Sequence, residues 1–311
     1  MKVKEGLEWA VNVLQQGEVG EAPTEAEILL RHVLGISRAQ LYAEWDGFLP
    51  QESQRSFVEL IERRLRGEPT SYLTSHREFY SFDLLVDPRV LIPRPESELL
   101  VELAVRQLEE REATTKSCLV ADIGTGSGAL AVALAKHLPA ALVYATDISH
   151  EALEVASINC HRHGVADRVL LLQGDLLDPL PGPVDLLVSN PPYVTQAEMR
   201  SLPKEIREHE PTVALDGGRD GLEVVRRLLP QALDRLKPGG AFFMEMGHSQ
   251  ASKVRHLAKD LFPGARVELA KDLAGIERVL AVYDPVAIEP EIASAGISGD
   301  DTRLRNYPLT V

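Results

Sequence analysis

The chain is short of cysteine, short of positive charge and without any long apolar run, and each shortage removes a class of protein. Only Cys118 and Cys160 occur in 311 residues, too few and too scattered for a disulfide framework. No apolar stretch approaches the roughly 20 residues of a membrane-spanning helix. The start, Met1-Lys-Val-Lys-Glu-Gly6, leads into an amphipathic segment and not into the apolar core of a signal peptide. A formal charge of −14 argues against a broad basic surface tracking nucleic-acid phosphates, though a local basic patch stays compatible with it. The expectation is a cytoplasmic, soluble, monomeric chain with no membrane contact and no direct DNA-binding surface. What is present is ordinary for a globular protein: 44% hydrophobic and 26% charged residues, enough for a normal core in one large or two smaller domains.

Residues 1–73 read as helices only. Leu7, Ala10, Val11 and Leu14 recur at helical spacing, and a second helix from Pro23 carries Ala26, Leu29, Leu30, Val33 and Leu34 before Gly35 stops it. A short piece spans Gln40 to Trp45, and Glu52 to Arg66 forms a fourth helix with Phe57, Leu60, Ile61 and Leu65 inward. This block contains no cluster of catalytic residue types and reads as a partner-binding bundle or a packing appendage. Residues 74–92 read as a β-hairpin linker, with strands over 77–86 and 89–92 joined at Asp87-Pro88. Pro95 then sits where the first turn of a helix tolerates proline, and acids follow it.

From Cys118 onward strand and helix alternate. Strands are expected at 119–123, 142–147, 169–173, 184–190 and 241–246, with a closing pair at 267–273 and 279–283. Helices lie between them, one of them over 222–236 and ended by Lys237-Pro-Gly-Gly240. Repeated βα units predict an α/β fold, a seven-stranded, Rossmann-like, doubly wound and mostly parallel sheet over 93–284. The tail, 285–311, lacks periodicity and is expected to have little order.

Two strand ends carry the chemistry. Asp122-Ile-Gly124-Thr125-Gly126-Ser127-Gly128 follows the first strand of the alternating region. Read loosely, Gly124, Gly126 and Ala129 fit a dinucleotide fingerprint with Asp147 downstream, so a hydride-transfer enzyme competes. Against it stand Gly128, which that fingerprint does not ask for, and Asp122, whose negative charge suits a cation without phosphates, such as S-adenosyl-L-methionine. Asp147 is placed to accept hydrogen bonds from ribose hydroxyls, or else is a helix N-terminal acid before Ser149. Asp175 and Leu176 end the third strand, where Asp175 would meet an adenine amino group and Leu176 its ring; Asp after Gly174 is also an ordinary turn. The second end is Asn190-Pro191-Pro192-Tyr193, which stops the apolar run of 184–188. Two prolines cannot donate to a sheet ladder and hold the backbone extended, so an amide, two carbonyls and an aromatic ring stand at the edge where open α/β sheets bind ligands.

The glycine loop together with Asn190-Pro-Pro-Tyr193 resembles class I methyltransferases that act on a planar nitrogen. Arg77-Glu-Phe-Tyr80, Leu91-Ile-Pro-Arg-Pro-Glu-Ser-Glu98, Glu210-Pro-Thr-Val-Ala-Leu-Asp-Gly-Gly218 and Glu277-Arg-Val279 narrow the resemblance to the PrmC/HemK family, the glutamine N5-methyltransferases of peptide chain release factors. It spans roughly residues 5–284, and one departure is Leu176, where some members carry an aromatic. The resemblance implies S-adenosyl-L-methionine as donor, S-adenosyl-L-homocysteine as product, no metal, and a release factor as protein partner docked on the helical block. The donor would sit on Asp122, Gly124, Thr125, Gly126, Ser127, Gly128, Asp147, Asp175, Leu176 and Asn190. The chemistry would rest on Asn190, Pro191, Pro192 and Tyr193, with a DNA or RNA amino-methyltransferase as the competing reading of the same four residues. An amide nitrogen is a poor nucleophile because its lone pair is delocalised, so Asn190 Oδ1 and the Pro191 carbonyl would each accept one N–H and Tyr193 would stack on the flat amide. Cys160-His161-Arg162-His163 reads as the basic end of a helix and not as a metal tract. Arg94 and Glu245 are left without an assigned role.

Overall fold

The computed structural model describes residues 1–111 and 117–285; the tail expected to lack order lies outside the described residues, apart from Pro285. The helical block contains α1 (Val3–Gln16), α2 (Ala22–Leu34), α3 (Arg38–Ala43), α4 (Gln51–Leu65) and α5 (Thr70–Thr74). Its core is the set of apolar residues repeating every three or four positions: Leu14, Leu29, Leu30, Leu41, Phe57 and Ile61 are fully buried. Leu65, expected inward, is 39% exposed. Gly35 ends α2 in the left-handed conformation, its N–H bonded back to the His32 carbonyl and the Ile36 N–H to the Arg31 carbonyl, the usual way to satisfy carbonyls left free at a helix end. Arg64 ties this block to the rest: it reaches Glu25 within the block and Glu205 outside it, at 2.8 Å to the latter.

The linker differs from expectation. Strands β1 (Arg77–Phe79) and β2 (Phe82–Leu84) pair antiparallel around Tyr80-Ser81, not around Asp87-Pro88, and 89–92 is not a strand. Tyr80 and Ser81 both have positive φ, 50° and 65°, the geometry of a two-residue turn that normally selects Asn and Gly. Neither residue advertises it. The conformation is held from outside: the Tyr80 N–H donates to Glu98 Oε1 at 2.8 Å and its ring meets His137 edge-on at 4.9 Å. Asp87-Pro88 does turn the chain, with Val90 N–H on the Asp87 carbonyl, but joins no strands.

A 3-10 turn at Pro95–Ser97 leads into α6 (Glu98–Glu110). The alternating region follows as β3 (Cys118–Ile123), α7 (Ala129–His137), β4 (Ala141–Asp147), α8 (His150–Arg162), β5 (Val169–Gln173) and β6 (Val184–Ser189). After β6 come two short helices, α9 (Gln196–Met199) and α10 (Lys204–His209), then α11 (Glu223–Arg235), β7 (Leu236–Glu245), α12 (Ala251–Leu261), β8 (Arg266–Lys271) and β9 (Glu277–Tyr283). The sheet has seven strands in the order β5-β4-β3-β6-β7-β9-β8, parallel except for β9. Alternate side chains serve opposite faces. Val120, Leu186, Val188 and Phe243 pack under α6 and α7, whereas Ala121, Ile123, Leu187, Phe242 and Met244 pack under α11 and α12, so both faces are dry and the strands read as continuous apolar runs. Lys237-Pro-Gly-Gly240 follows the end of α11, as expected, but belongs to β7: it bulges between the pairs Val184–Leu236 and Leu186–Ala241, where proline and glycine are tolerated in a sheet. No helix among the described residues is long and apolar enough to cross a membrane.

The strained turn gives a direct test. Ser81→Gly removes a left-handed conformation worth about 1–2 kcal/mol to a residue with a Cβ, partly offset by glycine's greater chain entropy. Urea unfolding is expected to show a gain of about 1 kcal/mol; no gain would mean that the surrounding contacts already compensate the strain.

Candidate active site

Parallel pairing brings three strand ends level. Ile123 stands beside Thr146 on one side and Ser189 on the other, so the next residues of each strand, Gly124, Asp147 and Asn190, emerge on one edge. The chain order reverses between β3 and β6, which is where an open sheet leaves a crevice. That crevice is a cavity of about 540 Å³, within the range of small-molecule sites. Its wall includes Gly124, Gly126, Asp147, Asp175, Leu176, Asn190 and Pro192. Ile148, the stretch from Arg89 to Leu91 and the segment from Pro211 to Ala214 also line it.

Of the residues expected to hold a ligand, Asp122, Thr125, Ser127 and Gly128 do not line this cavity but lie beneath its floor. Asp122 is fully buried, accepting from Thr125 Oγ1 at 2.6 Å and from the Ala131 N–H at 3.1 Å. Its other oxygen, Oδ1, is buried with no hydrogen-bond partner. Burial pushes its carboxyl up to about 7, against the pull of the two donors, and the Asp147 charge adds to the rise. The carboxylate therefore organises the loop from below, with one acceptor unused. Asp147 works from the side. Its oxygens accept from Gly126 N–H at 2.8 Å and Ser149 N–H at 2.9 Å, and burial raises its pKa while those donors lower it. Asp147 therefore braces a helix start, as one of its two readings had it, and also lines the cavity. Asp175 is ion-paired with Arg227, which also lines the cavity and which the sequence did not single out. Leu176 takes positive φ, 50°, and its carbonyl accepts from Thr146 Oγ1 at 2.9 Å, locking the ends of β4 and β5 together.

The glycines divide by role. A Cβ built on Gly124 or Gly126 meets nothing within 4 Å, and both residues line the cavity with positive φ. A Cβ on Gly128 lands 3.1 Å from Ala156 Cβ on α8. The first two keep the floor clear for a ligand; the third lets the loop rest on a helix.

At the other strand end, Asn190 Nδ2 donates to Ser97 Oγ at 2.9 Å, and Ser97 Oγ donates to Glu245 Oε2 at 2.5 Å. Tyr193 OH donates to Glu245 Oε1 at 3.1 Å, and the Tyr193 carbonyl accepts from Gln250 Nε2 at 2.8 Å. Burial and the Glu245 charge hold the Tyr193 phenol well above its ordinary range, so it remains a donor at any working pH. Ser97 and Glu245 are buried, at 4% and 1% exposure. Nothing in their local sequence marks them: Ser97 reads as a helix-start residue and Glu245 as one acid in an apolar strand. Glu210 accepts from the Ile92 N–H at 3.2 Å and pairs with Arg94, which places Arg94 as the brace of the cavity-lining segment that Glu210 begins. Val194 and Leu215 pair through their backbones at 2.9 Å, fastening that segment to the chain just beyond Tyr193. The Cys160 to His163 tract does not converge: Cys160 is in the core, His161 bonds the Ser157 carbonyl and His163 the Asp83 carbonyl.

Comparison with known proteins agrees with this layout. Residues 5–74 match the family model described as PrmC N-terminal domain, and residues 97–219 match Methyltransferase small domain. Proteins named release factor glutamine methyltransferase are similar over nearly the whole chain. The one from Moorella thermoacetica is 43% identical over 91% of this chain and 99% of its own length. That from Rhodopirellula baltica is 43% identical over 89% and 94%, and that from Koribacter versatilis 39% over 92% and 100%. Among solved structures, the hMettl16 catalytic domain in complex with MAT2A 3′UTR hairpin 6 shares the fold at TM-score 0.51 and 17% identity, over 72% of this chain and 82% of that one.

Two glycine substitutions separate ligand room from packing. Gly128→Ala is expected to cost about 1–2 kcal/mol of stability from its backbone conformation, plus the tight contact with Ala156. Gly124→Ala carries the same backbone cost and also intrudes on the cavity, so its affinity for the methyl donor falls as well. Denaturant unfolding and calorimetric titration of both variants check this; equal donor affinity in the two would contradict the division. Asp122 makes a pH prediction. Its folded pKa lies above the unfolded value of about 3.9, so the native state holds the extra proton and stability falls as pH rises from about 4 to about 7. The melting temperature of Asp122→Asn, minus that of the unsubstituted protein, should grow across that window and level off above it.

Proposed function

The chain belongs to the release factor glutamine methyltransferase family, and from that premise we propose that it transfers a methyl group from S-adenosyl-L-methionine to the side-chain N5 of the glutamine in the Gly-Gly-Gln loop of a peptide chain release factor. The observation that carries the site assignment is the Asn190 amide: it stands on the cavity wall with its nitrogen already committed to Ser97, which leaves its oxygen as an acceptor for an incoming N–H.

The residues fit the donor. The cavity floor is cleared by two glycines, Asp147 offers a carboxylate at its side, and Asp122 keeps a buried, partnerless oxygen beneath. A cation bound nearby lowers the cost of ionising Asp122. Bound there, S-adenosyl-L-methionine supplies a methyl group on a positively charged sulfur. Asp147 would take the ribose hydroxyls, Leu176 and Ile148 the adenine faces, and the loop of Gly124 to Gly126 would let the amino-acid end lie against the backbone.

The remaining work is orientation. A carboxamide nitrogen shares its lone pair with its carbonyl, and its pKa is far beyond the reach of a side-chain base. Asn190 Oδ1 and the Pro191 carbonyl each accept one N–H of the substrate, which holds the nitrogen at a fixed point and favours its pyramidal form as positive charge develops. Pro191 and Pro192 hold that carbonyl without ordering cost on binding. The ring of Tyr193, pinned at its hydroxyl and at its carbonyl, offers a flat apolar face to the amide. One of the two N–H protons is lost to solvent after transfer, when the alkylated nitrogen is acidic, and the other stays on the methylated amide.

Incubation with labelled S-adenosyl-L-methionine, a purified release factor, its Gln→Ala variant and double-stranded DNA tests the reading. Label should enter the release factor alone; label in DNA, or equally in the Gln→Ala factor, would overturn it. With release factor as substrate, Asn190→Ala is expected to lower kcat about a hundredfold while donor affinity changes by only a few fold. Unchanged turnover would remove Asn190 from the chemistry.

A further inference from the structure

Ser97 and Glu245 are buried, polar and unassigned, and they meet behind Asn190 rather than in the cavity. The chain of donors has a direction. An ionised carboxylate can only accept. Glu245 Oε2 therefore takes the single hydroxyl proton of Ser97, at 2.5 Å, and Oε1 takes that of Tyr193, at 3.1 Å. Ser97 Oγ, its proton spent, can then only accept, and its neighbour is the Asn190 amide at 2.9 Å. An asparagine amide is nearly symmetric in shape, so sterics alone do not choose which end faces which way. Here the choice is forced: only the NH2 end can satisfy Ser97, and the oxygen is turned to the other side.

Resting on the glutamine-methylation reading above, we infer that Ser97 and Glu245 are positioning residues that set the polarity of the Asn190 amide, so that it presents an acceptor and not a donor to the substrate NH2. The reversal has a defined trigger. A protonated Glu245 can donate to Ser97 Oγ, which frees the Ser97 proton for Asn190. Asn190 would then turn its oxygen to Ser97 and its NH2 toward the cavity, where two donors face each other. Glu245 is surrounded by Ser97 and Glu96 from the turn before α6, Tyr193 from the end of β6, and Arg278 from β9. Burial is the largest influence and raises its pKa, and Glu96 adds to the rise; the bonds from Ser97 and Tyr193 and the charge of Arg278 lower it. The acceptor polarity is therefore lost as pH falls through the folded-state pKa of Glu245, which lies above the ordinary carboxylate range.

Two readouts test this. In the first, kcat and donor affinity are followed against pH with purified release factor for the unsubstituted protein and for Ser97→Ala, Ser97→Thr and Glu245→Gln. Ser97→Ala and Glu245→Gln should lose kcat on the order of ten- to a hundredfold, with donor affinity and melting temperature near those of the parent. Ser97→Thr, which keeps the hydroxyl, should recover most of it. Glu245→Gln should also lose the acid limb of the kcat profile. In the second, the side-chain 15N signal of Asn190, identified by its absence in Asn190→Ala, should shift with pH in the unsubstituted protein and stay still in Glu245→Gln. This needs no substrate, so it reports on the inference even where the methylation reading fails. Full kcat in Ser97→Ala and Glu245→Gln, or an Asn190 signal that titrates equally in Glu245→Gln, overturns the inference. Absence of release-factor labelling by the unsubstituted protein, with the Asn190 signal titrating as described, overturns the function and leaves the relay standing.

Discussion

Register across three parallel strands governs where everything else can be. Ile123 is level with Thr146 and Ser189, so the residues that follow, two of them polar and one a glycine, leave the sheet together. A shift of one residue in any pair would send the next side chain to the opposite face, into the apolar layer under the helices. That is costly here because both faces are dry: Val188 packs under α6 and α7 and Leu187 under α11 and α12. The hydrophobic core thus does more than stabilise. It sets the one alignment in which Asp147 reaches the Gly126 N–H and Asn190 stands on the cavity wall.

How much of this was legible from the residues depends on where the cause lies. The strands of the alternating region are written in their own composition, because burial on both faces demands unbroken apolar runs; β5 spans Val169–Gln173 and β6 ends at Ser189, two residues before the proline pair. The glycine loop and Asn190-Pro-Pro-Tyr193 are equally local. The hairpin turn was not legible, since Tyr80 and Ser81 hold positive φ without a local signal for it, and what holds Tyr80 there, Glu98 and His137, comes from other elements. The start of β7 was hidden for the opposite reason: Lys237-Pro-Gly-Gly240 has every local sign of a loop, and pairing with β6 absorbs it as a bulge. Ser97 and Glu245 were illegible as a pair because 148 positions separate them in sequence.

The stretches that narrowed the resemblance now have physical work. Arg77 Nε bonds the Pro93 carbonyl, and Arg94 pairs with Glu210. Glu210 also holds the Ile92 N–H, so the stretches 91–98 and 210–218 meet. Val194 and Leu215 then pair, and the chain beyond Tyr193 is caught between them. Arg278 accepts the Met246 N–H on its carbonyl at 2.9 Å and reaches Asp272 with its side chain at 3.0 Å, which settles the strand end that carries Glu245. These are braces around one small motif. In the proposed reaction the motif would offer two acceptors to a planar NH2, and the braces fix the backbone on either side of it.

Buried carboxylates are an expensive way to build such a brace. A carboxylate taken from water must recover several kcal/mol through its partners, and an apolar core at the same place would fold at least as well. Yet Asp122, Glu210 and Glu245 are all buried along this one edge of the sheet. What an ionised carboxylate provides, and a neutral amide or an apolar group does not, is a fixed direction. It accepts and never donates, so each N–H or O–H beside it has only one way to point. Glu210 fixes the Ile92 N–H and the Arg94 guanidinium; Glu245, when ionised, fixes two hydroxyls; and Asp122 does the same for the Thr125 hydroxyl and the Ala131 N–H once pH rises past about 7. A glutamine at 245 could be satisfied in either of two orientations, and the groups it touches would follow it. For a reaction that depends on holding a weak nucleophile in one pose, a unique hydrogen-bond polarity is worth more than the stability it costs.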